Sequence, residues 1–147
     1  MSKVSSSLQE RFLEKFLLEN HIIKSKVEDV LNDALNLNGI TAVSLIDLKS
    51  GILLGSMSSS DLNIEFASIL NNSITEKVKK MSNSIDPLAQ ESINNIVFVY
   101  KERIEITYRT EISKDRELYF YIVVDPEKTN LFIIKNKIEV ILNRLKQ

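Results

Sequence analysis

Residues 118–125, LYFYIVVD, and residues 40–47, ITAVSLID, are apolar on both of their alternating sides, and this constrains the chain more than any other feature. Successive side chains of a strand point to opposite faces of a sheet, so a strand apolar on both sides needs cover on both. In 40–47, Ile40, Ala42 and Ile46 are expected on one face and Val43 and Leu45 on the other. The sheet must be sandwiched, and the chain must supply amphipathic helices to do it.

It does so at several places. Leu8, Phe12, Leu13, Phe16 and Leu17 recur at helical spacing, so residues 6–19 read as a helix with Glu10, Arg11, Glu14 and Lys15 largely on its other side. Val27, Val30, Leu31, Ala34 and Leu35 mark a second helix, stopped by Asn38-Gly39. Residues 58–85 form a longer one, opened by a Ser/Asp cluster at 59–61. Its Leu62, Phe66, Ile69, Leu70, Ile74, Val78 and Met81 span roughly half the circumference at about 100° per residue, wider than contact with a single sheet requires. Ala67, Ser68 and Ser73 are small and permit close approach of another backbone. Leu131, Ile134, Ile138, Ile141, Leu142 and Leu145 mark a last helix, for which Asp125-Pro126 and Thr129 both offer caps.

Strands are expected at 40–47, 51–57, 95–101, 103–111 and about 117–125, with a polar loop at 82–94. In RIEITYRT, Ile104, Ile106 and Tyr108 alternate with Arg103, Glu105, Thr107 and Arg109. The short connections imply antiparallel pairing.

With 147 residues, 44% hydrophobic and 27% charged, the chain suits one domain of ordinary core size. A net charge of -1 gives no electrostatic reason to expect nucleic acid. No apolar run reaches the ~18 residues of a membrane span, and the N-terminus has no signal-peptide core. The absence of cysteine excludes disulfides and thiolate chemistry and fits a cytoplasmic protein. His21 is the only histidine, which rules out a zinc site of several imidazoles. No GxxxxGK[ST] phosphate loop occurs.

The order of elements, read with the residues at their joints, resembles the Roadblock (dynein light-chain) family over roughly residues 25–146. The carrying segments are a helix ending at NLNGI, the hairpin AVSLIDLKSGILLGS, a long helix, IVFVYKERIEITY, and YIVVDPEKTNLFIIKNKIEVIL. The helix at 6–19 is an addition, the 82–94 loop looks long, and the turn Lys101-Glu102 lacks glycine. The resemblance implies an α/β (more narrowly α+β) fold: a five-stranded antiparallel sheet with helices on both faces, here with an extra N-terminal helix. It divides the chain into a helical extension at 1–24 and a Roadblock-like domain at 25–147. It further implies a homodimer in which the long helix and the third strand meet their counterparts. Leu62, Phe66, Ile69, Leu70, Ser73, Ile74, Val97 and Val99 are the expected interface residues. The family's members are scaffolds or regulators of Ras-like small GTPases, or subunits of motor complexes, and carry out no bond-making chemistry.

The remaining candidates have simpler explanations. Asp47, Lys49, Ser50 and Gly51 read as a turn, because Asp and Ser bond their own backbone there and Gly accepts positive φ. His21 reads as a helix-end residue, and Glu65, Glu76, Asp29 and Asp33 as solvated helix faces. The aromatics near Lys101, Arg103 and Arg109 could form a nucleic-acid platform, but Glu102, Glu105 and Glu111 cancel much of the field. Phe12, Leu13, Phe16 and Leu17 form either a helix that enters a partner's groove or one packed on its own domain.

The expectation is a non-enzymatic adaptor that binds itself and a small Ras-like GTPase or a larger assembly. No catalytic residue, cofactor, metal, nucleic acid or membrane insertion is expected. The alternative is a small-molecule-sensing PAS/GAF-like domain, which would need a cavity.

Overall fold

The computed structural model describes residues 3–85 and 93–146. Two helices open it, α1 (Lys3–Glu19) and α2 (Lys24–Leu35), joined by a tight corner at His21, whose φ is 56°. A hairpin follows, β1 (Ile40–Asp47) and β2 (Leu53–Ser58), and then the long α3 (Ile64–Ile85). Three strands come next, β3 (Asn95–Val99), β4 (Ile104–Ser113) and β5 (Arg116–Val124), before α4 (Leu131–Leu142) and a single 3-10 turn at Asn143–Leu145. The five strands pair antiparallel in the order β2-β1-β5-β4-β3. The expected architecture is therefore present: of the two-sided apolar strands, β5 is central and β1 lies beside it, and helices cover both faces.

The two faces are covered differently. On one, Val43, Leu45, Leu118, Phe120, Ile122 and Val124 are sealed by α2 and α4 in the main core. On the other, Ala42, Tyr121 and Val123 meet Ile64 of α3 in a much smaller cluster. Ile40 departs from its expected side. The pairing of β1 with β5 slips by one residue between Ile40 and Ala42, and this bulge turns Ile40 into the main core, opposite Ala42.

Local details refine the element ends. α3 continues through Ile85, so residues 82–85 are helix, not loop, and 86–92 lie outside the described residues. The Ser/Asp cluster at 59–61 does not cap α3; the Asn63 side chain accepts from the Phe66 amide at 3.1 Å instead. Neither Asp125 nor Thr129 caps α4, whose N-cap is Asn130, accepting from the Phe132 amide at 2.8 Å. Gly39 has a φ of 91°, and a Cβ there would stand 2.7 Å from Thr129 Cβ, so the crossing of these two loops requires glycine.

The end of α1 and the corner after it pack into the main core. Leu17 (3% exposed) and Ile22 (9%) belong to the main cluster, with Leu13 and Phe16 packed against it. A polar clamp reinforces the join. Arg116 donates to Asp47 Oδ1 at 2.9 Å and also to Asn20 Oδ1. Asn20 in turn donates to the Phe16 carbonyl at 2.8 Å, closing α1. Asp47, almost wholly buried, also accepts from the Ser50 hydroxyl at 2.6 Å and the Ser50 amide at 3.0 Å. Burial pushes its pKa up, but the bonds from Ser50 and Arg116 outweigh that and hold it below the ordinary value.

Replacing Arg116 by Met removes the clamp's cation and leaves Asp47 buried with only Ser50. Urea unfolding should show a loss of about 3 kcal/mol. Because the folded pKa of Asp47 is depressed, its contribution is full above the unfolded value of 3.8 and disappears as pH falls through the lower folded value. The gap between the wild-type chain and Asp47→Asn should close over that acid window.

Candidate self-association surface

α3 is amphipathic, but in the opposite sense to an ordinary surface helix. Its sheet-facing residues are Ile64, Ser68, Asn71 and Thr75, spaced four, three and four apart and all buried. Three of these four are polar. Each finds a partner, as buried polar groups must. Ser68 donates to the Ile64 carbonyl at 2.5 Å, and its hydroxyl stands 2.7 Å from that of Ser44 on β1. Asn71 Oδ1 accepts from Thr107 of β4 at 2.6 Å and from Thr75 at 3.4 Å. One turn further on, the Tyr119 hydroxyl donates to Glu76 at 3.0 Å and accepts from Lys79 at 3.1 Å. Burial first, then the Glu76 charge, raises the pKa of Tyr119, so it remains a neutral donor. Tyr121, fully buried, has no hydroxyl partner in hydrogen-bonding geometry among the described residues.

The apolar residues of α3 point the other way. Phe66 is 65% exposed, Ile69 59%, Leu70 51% and Met81 64%, an array of large side chains left open among the described residues. Ser73 is exposed beside them, and Leu62 and Ile74 are half-buried. The arc read from the periodicity is real, and its buried margin is thin. Phe66, Leu70 and Ile74 form one wall of a cleft of about 230 Å³ whose other wall is Phe98 and Tyr100, with Arg103 and Glu105 at its end. Arg103 stacks on Tyr100 with 4.1 Å between the guanidinium carbon and the ring centre, and donates to the buried Glu105 at 2.9 Å. The cleft abuts β3, an edge strand with one side of its backbone unpaired among the described residues.

Not every expected interface residue joins this surface. Val97 and Val99 are exposed, but they pair with Ile106 and Ile104 and project to the α4 face of the sheet. The β3 side chains on the α3 face are Ile96 and Phe98, opposite Thr107 and Glu105. The strict alternation of NIVFV carried that distinction, but which parity faces α3 depends on the register with β4. The partner-binding set on α1 also narrows: Leu17 is core, Leu13 and Phe16 are half-buried, and only Phe12 remains largely open at 63%.

No acid–base constellation emerges among the described residues. Asp47 and Ser50 bond each other in their turn, Gly51 takes a φ of 73°, and Lys49 is exposed. His21, Asp29 and Glu65 are exposed, Asp33 pairs with Arg144, and Glu76 holds Tyr119. Among the described residues there is no group of three or more His, Cys, Asp or Glu placed to hold a metal, and no helix long and apolar enough to cross a membrane.

No protein-family model matches the chain, and no curated protein matches it in sequence. Solved structures do match in shape. The gliding protein MglB of Thermus thermophilus superposes with a TM-score of 0.63 at 13% identity, over 82% of this chain and 88% of that one. A Roadblock/LC7 domain from Streptomyces avermitilis gives 0.56 at 5% identity, over 77% and 88%. This is the Roadblock fold. An MglB in a tetrameric arrangement gives 0.63 at 14% identity, over 82% and 88%. Within the Roadblock fold of this chain, the α3 surface and the β3 edge lie side by side.

The polar seat and the oily exterior of α3 should be separable by mutation. Asn71→Ala strands two buried hydroxyls and should destabilise the fold by about 2 kcal/mol in urea unfolding without weakening self-association. Phe66→Ser should change stability by less than about 1 kcal/mol.

Proposed function

We propose that this chain is a non-enzymatic, self-associating adaptor of Roadblock type that regulates a small Ras-like GTPase. The observation that carries the reading is the reversal of α3: its sheet side is polar and bonded, while Phe66, Ile69, Leu70 and Met81 stand in solvent. Contiguous exposed apolar surface of this kind marks an interaction site. A second copy fits it because the edge of β3 lies beside the helix, so two copies related by a two-fold axis could join strands and helices in one contact. A fold neighbour, MglB, adopts a tetrameric arrangement, which agrees with self-association as a habit of the fold. The GTPase half of the proposal comes from the Roadblock resemblance. Its mechanism would be allosteric, with the dimer holding one arrangement of the GTPase switch loops more tightly than the other.

The small-molecule-sensor reading has less support. The cleft beside α3 is small, at about 230 Å³, and the larger hollows, of about 350, 360 and 530 Å³, are open surface grooves and not enclosed cavities of the kind a sensor domain needs.

Sedimentation equilibrium should give more than one copy per particle for the wild-type chain, and Phe66→Asp should weaken the α3 contact at least tenfold. An unchanged assembly would remove that surface from the reading. Titration with purified Ras-like GTPases should detect binding that differs between the GDP and GTP-analogue states; binding in neither state would remove the GTPase claim.

A further inference from the structure

α4 carries more apolar surface than its own core uses. Eight of its twelve residues are apolar, and only Ile134, Ile138, Ile141 and Leu142 are buried. The other four remain open: Leu131 at 37%, Phe132 at 80%, Ile133 at 53% and Val140 at 66%. They lie on the face of the sheet opposite α3, so a contact through α3 leaves them uncovered. Successive helix residues turn about 100°, which sets Asn136 directly opposite the buried stripe, with Phe132 one turn before it and Val140 one turn after.

We infer that α4 is a second self-association surface, on which the α4 of another copy lies antiparallel with Asn136 on the two-fold axis. The arrangement follows from the residues. A two-fold through Asn136 brings Phe132 of each copy to the level of Val140 of the other, one large side chain against one small, with Ile133 alongside. Asn136 meets its own copy at the axis, where a side-chain amide both donates and accepts, so the pair satisfies itself. A single polar residue in an apolar seam also fixes helix register. The charges agree on one flank. Lys135 and Glu139 are both exposed, and reversal of the helix sets each Lys135 within one turn of the other copy's Glu139. Lys137 falls on the opposite flank beside its own copy, and its long stem can carry the charge out to solvent. Such a contact is isologous, the commonest kind in soluble assemblies. It does not depend on the α3 contact.

The absence of cysteine gives a direct test. Asn136→Cys introduces a single thiol at the proposed axis, and Lys49→Cys places one on the exposed turn as a control. Under the same mild oxidant, Asn136→Cys should form the disulfide-linked pair at least tenfold faster than the control. Adding Phe132→Asp should return it to the control rate. By sedimentation equilibrium, Phe66→Asp should still pair through α4, and Phe66→Asp with Phe132→Asp should be monomeric. Circular dichroism checks that each variant is folded; Phe132 is exposed enough that Phe132→Asp should fold. Equal cross-linking rates for Asn136→Cys and the control, or pairing unaffected by Phe132→Asp, would overturn the inference. So would binding to phosphatidylglycerol vesicles that Phe132→Asp abolishes while cross-linking stays at the control rate, which would assign the face to a lipid surface.

Discussion

Beyond a small apolar contact at Ile64, the seat of α3 on the sheet is made of hydrogen bonds, and the rest of the molecule is arranged around that fact. Ser68 against Ser44 and Asn71 against Thr107 fix the helix in one register across β1 and β4. A hydroxyl or amide left unmatched there would lose about 1–3 kcal/mol, so the seat is directional in a way that oil against oil is not. Its net contribution is modest, however, because each bond made in the fold replaces one to water. The stability of the domain therefore has to come from elsewhere.

It comes from the opposite face. Val43, Leu45, Phe120 and Ile122 lie beneath α2 and α4, and α1 adds Leu17 to the same mass. One side of the sheet holds the fold together, while the other carries a helix whose large apolar residues stand in solvent. The Arg116 clamp belongs to the stabilising side: it joins the corner after α1 to the end of the first hairpin. Through Leu17, with Leu13 and Phe16 beside it, the N-terminal helix thus becomes an integral part of the core.

Much of this was legible in the residues. The runs in β1 and β5 declared a sheet covered on both faces, and the joints NLNGI and TNL carried the resemblance to Roadblock proteins. The width of the apolar arc on α3 also read correctly. What the helix sets against the sheet was not legible: Ser68 was noted only as a small residue that permits close approach of another backbone, and the polar stripe of Ser68, Asn71 and Thr75 emerges only when Ser44 and Thr107 stand opposite it. Ile40 was misplaced because a bulge shifts register without changing the sequence pattern. Asn63 and Asn130 were passed over as caps since richer Ser/Asp/Thr neighbourhoods lay a few residues upstream. Val97 and Val99 were expected at the interface because the resemblance brings the third strand against its counterpart; the register with β4 sets their side chains on the α4 face, away from the α3 surface.

The division of labour within α3 has a consequence for how such a chain can change. Substitutions among Phe66, Ile69, Leu70 and Met81 touch neither the bonds that seat the helix nor the packed layer beneath α2 and α4. On the proposed role of α3, the choice of companion can therefore drift residue by residue while the scaffold beneath stays intact, and a lineage could exchange one ally for another without passing through an unfolded ancestor.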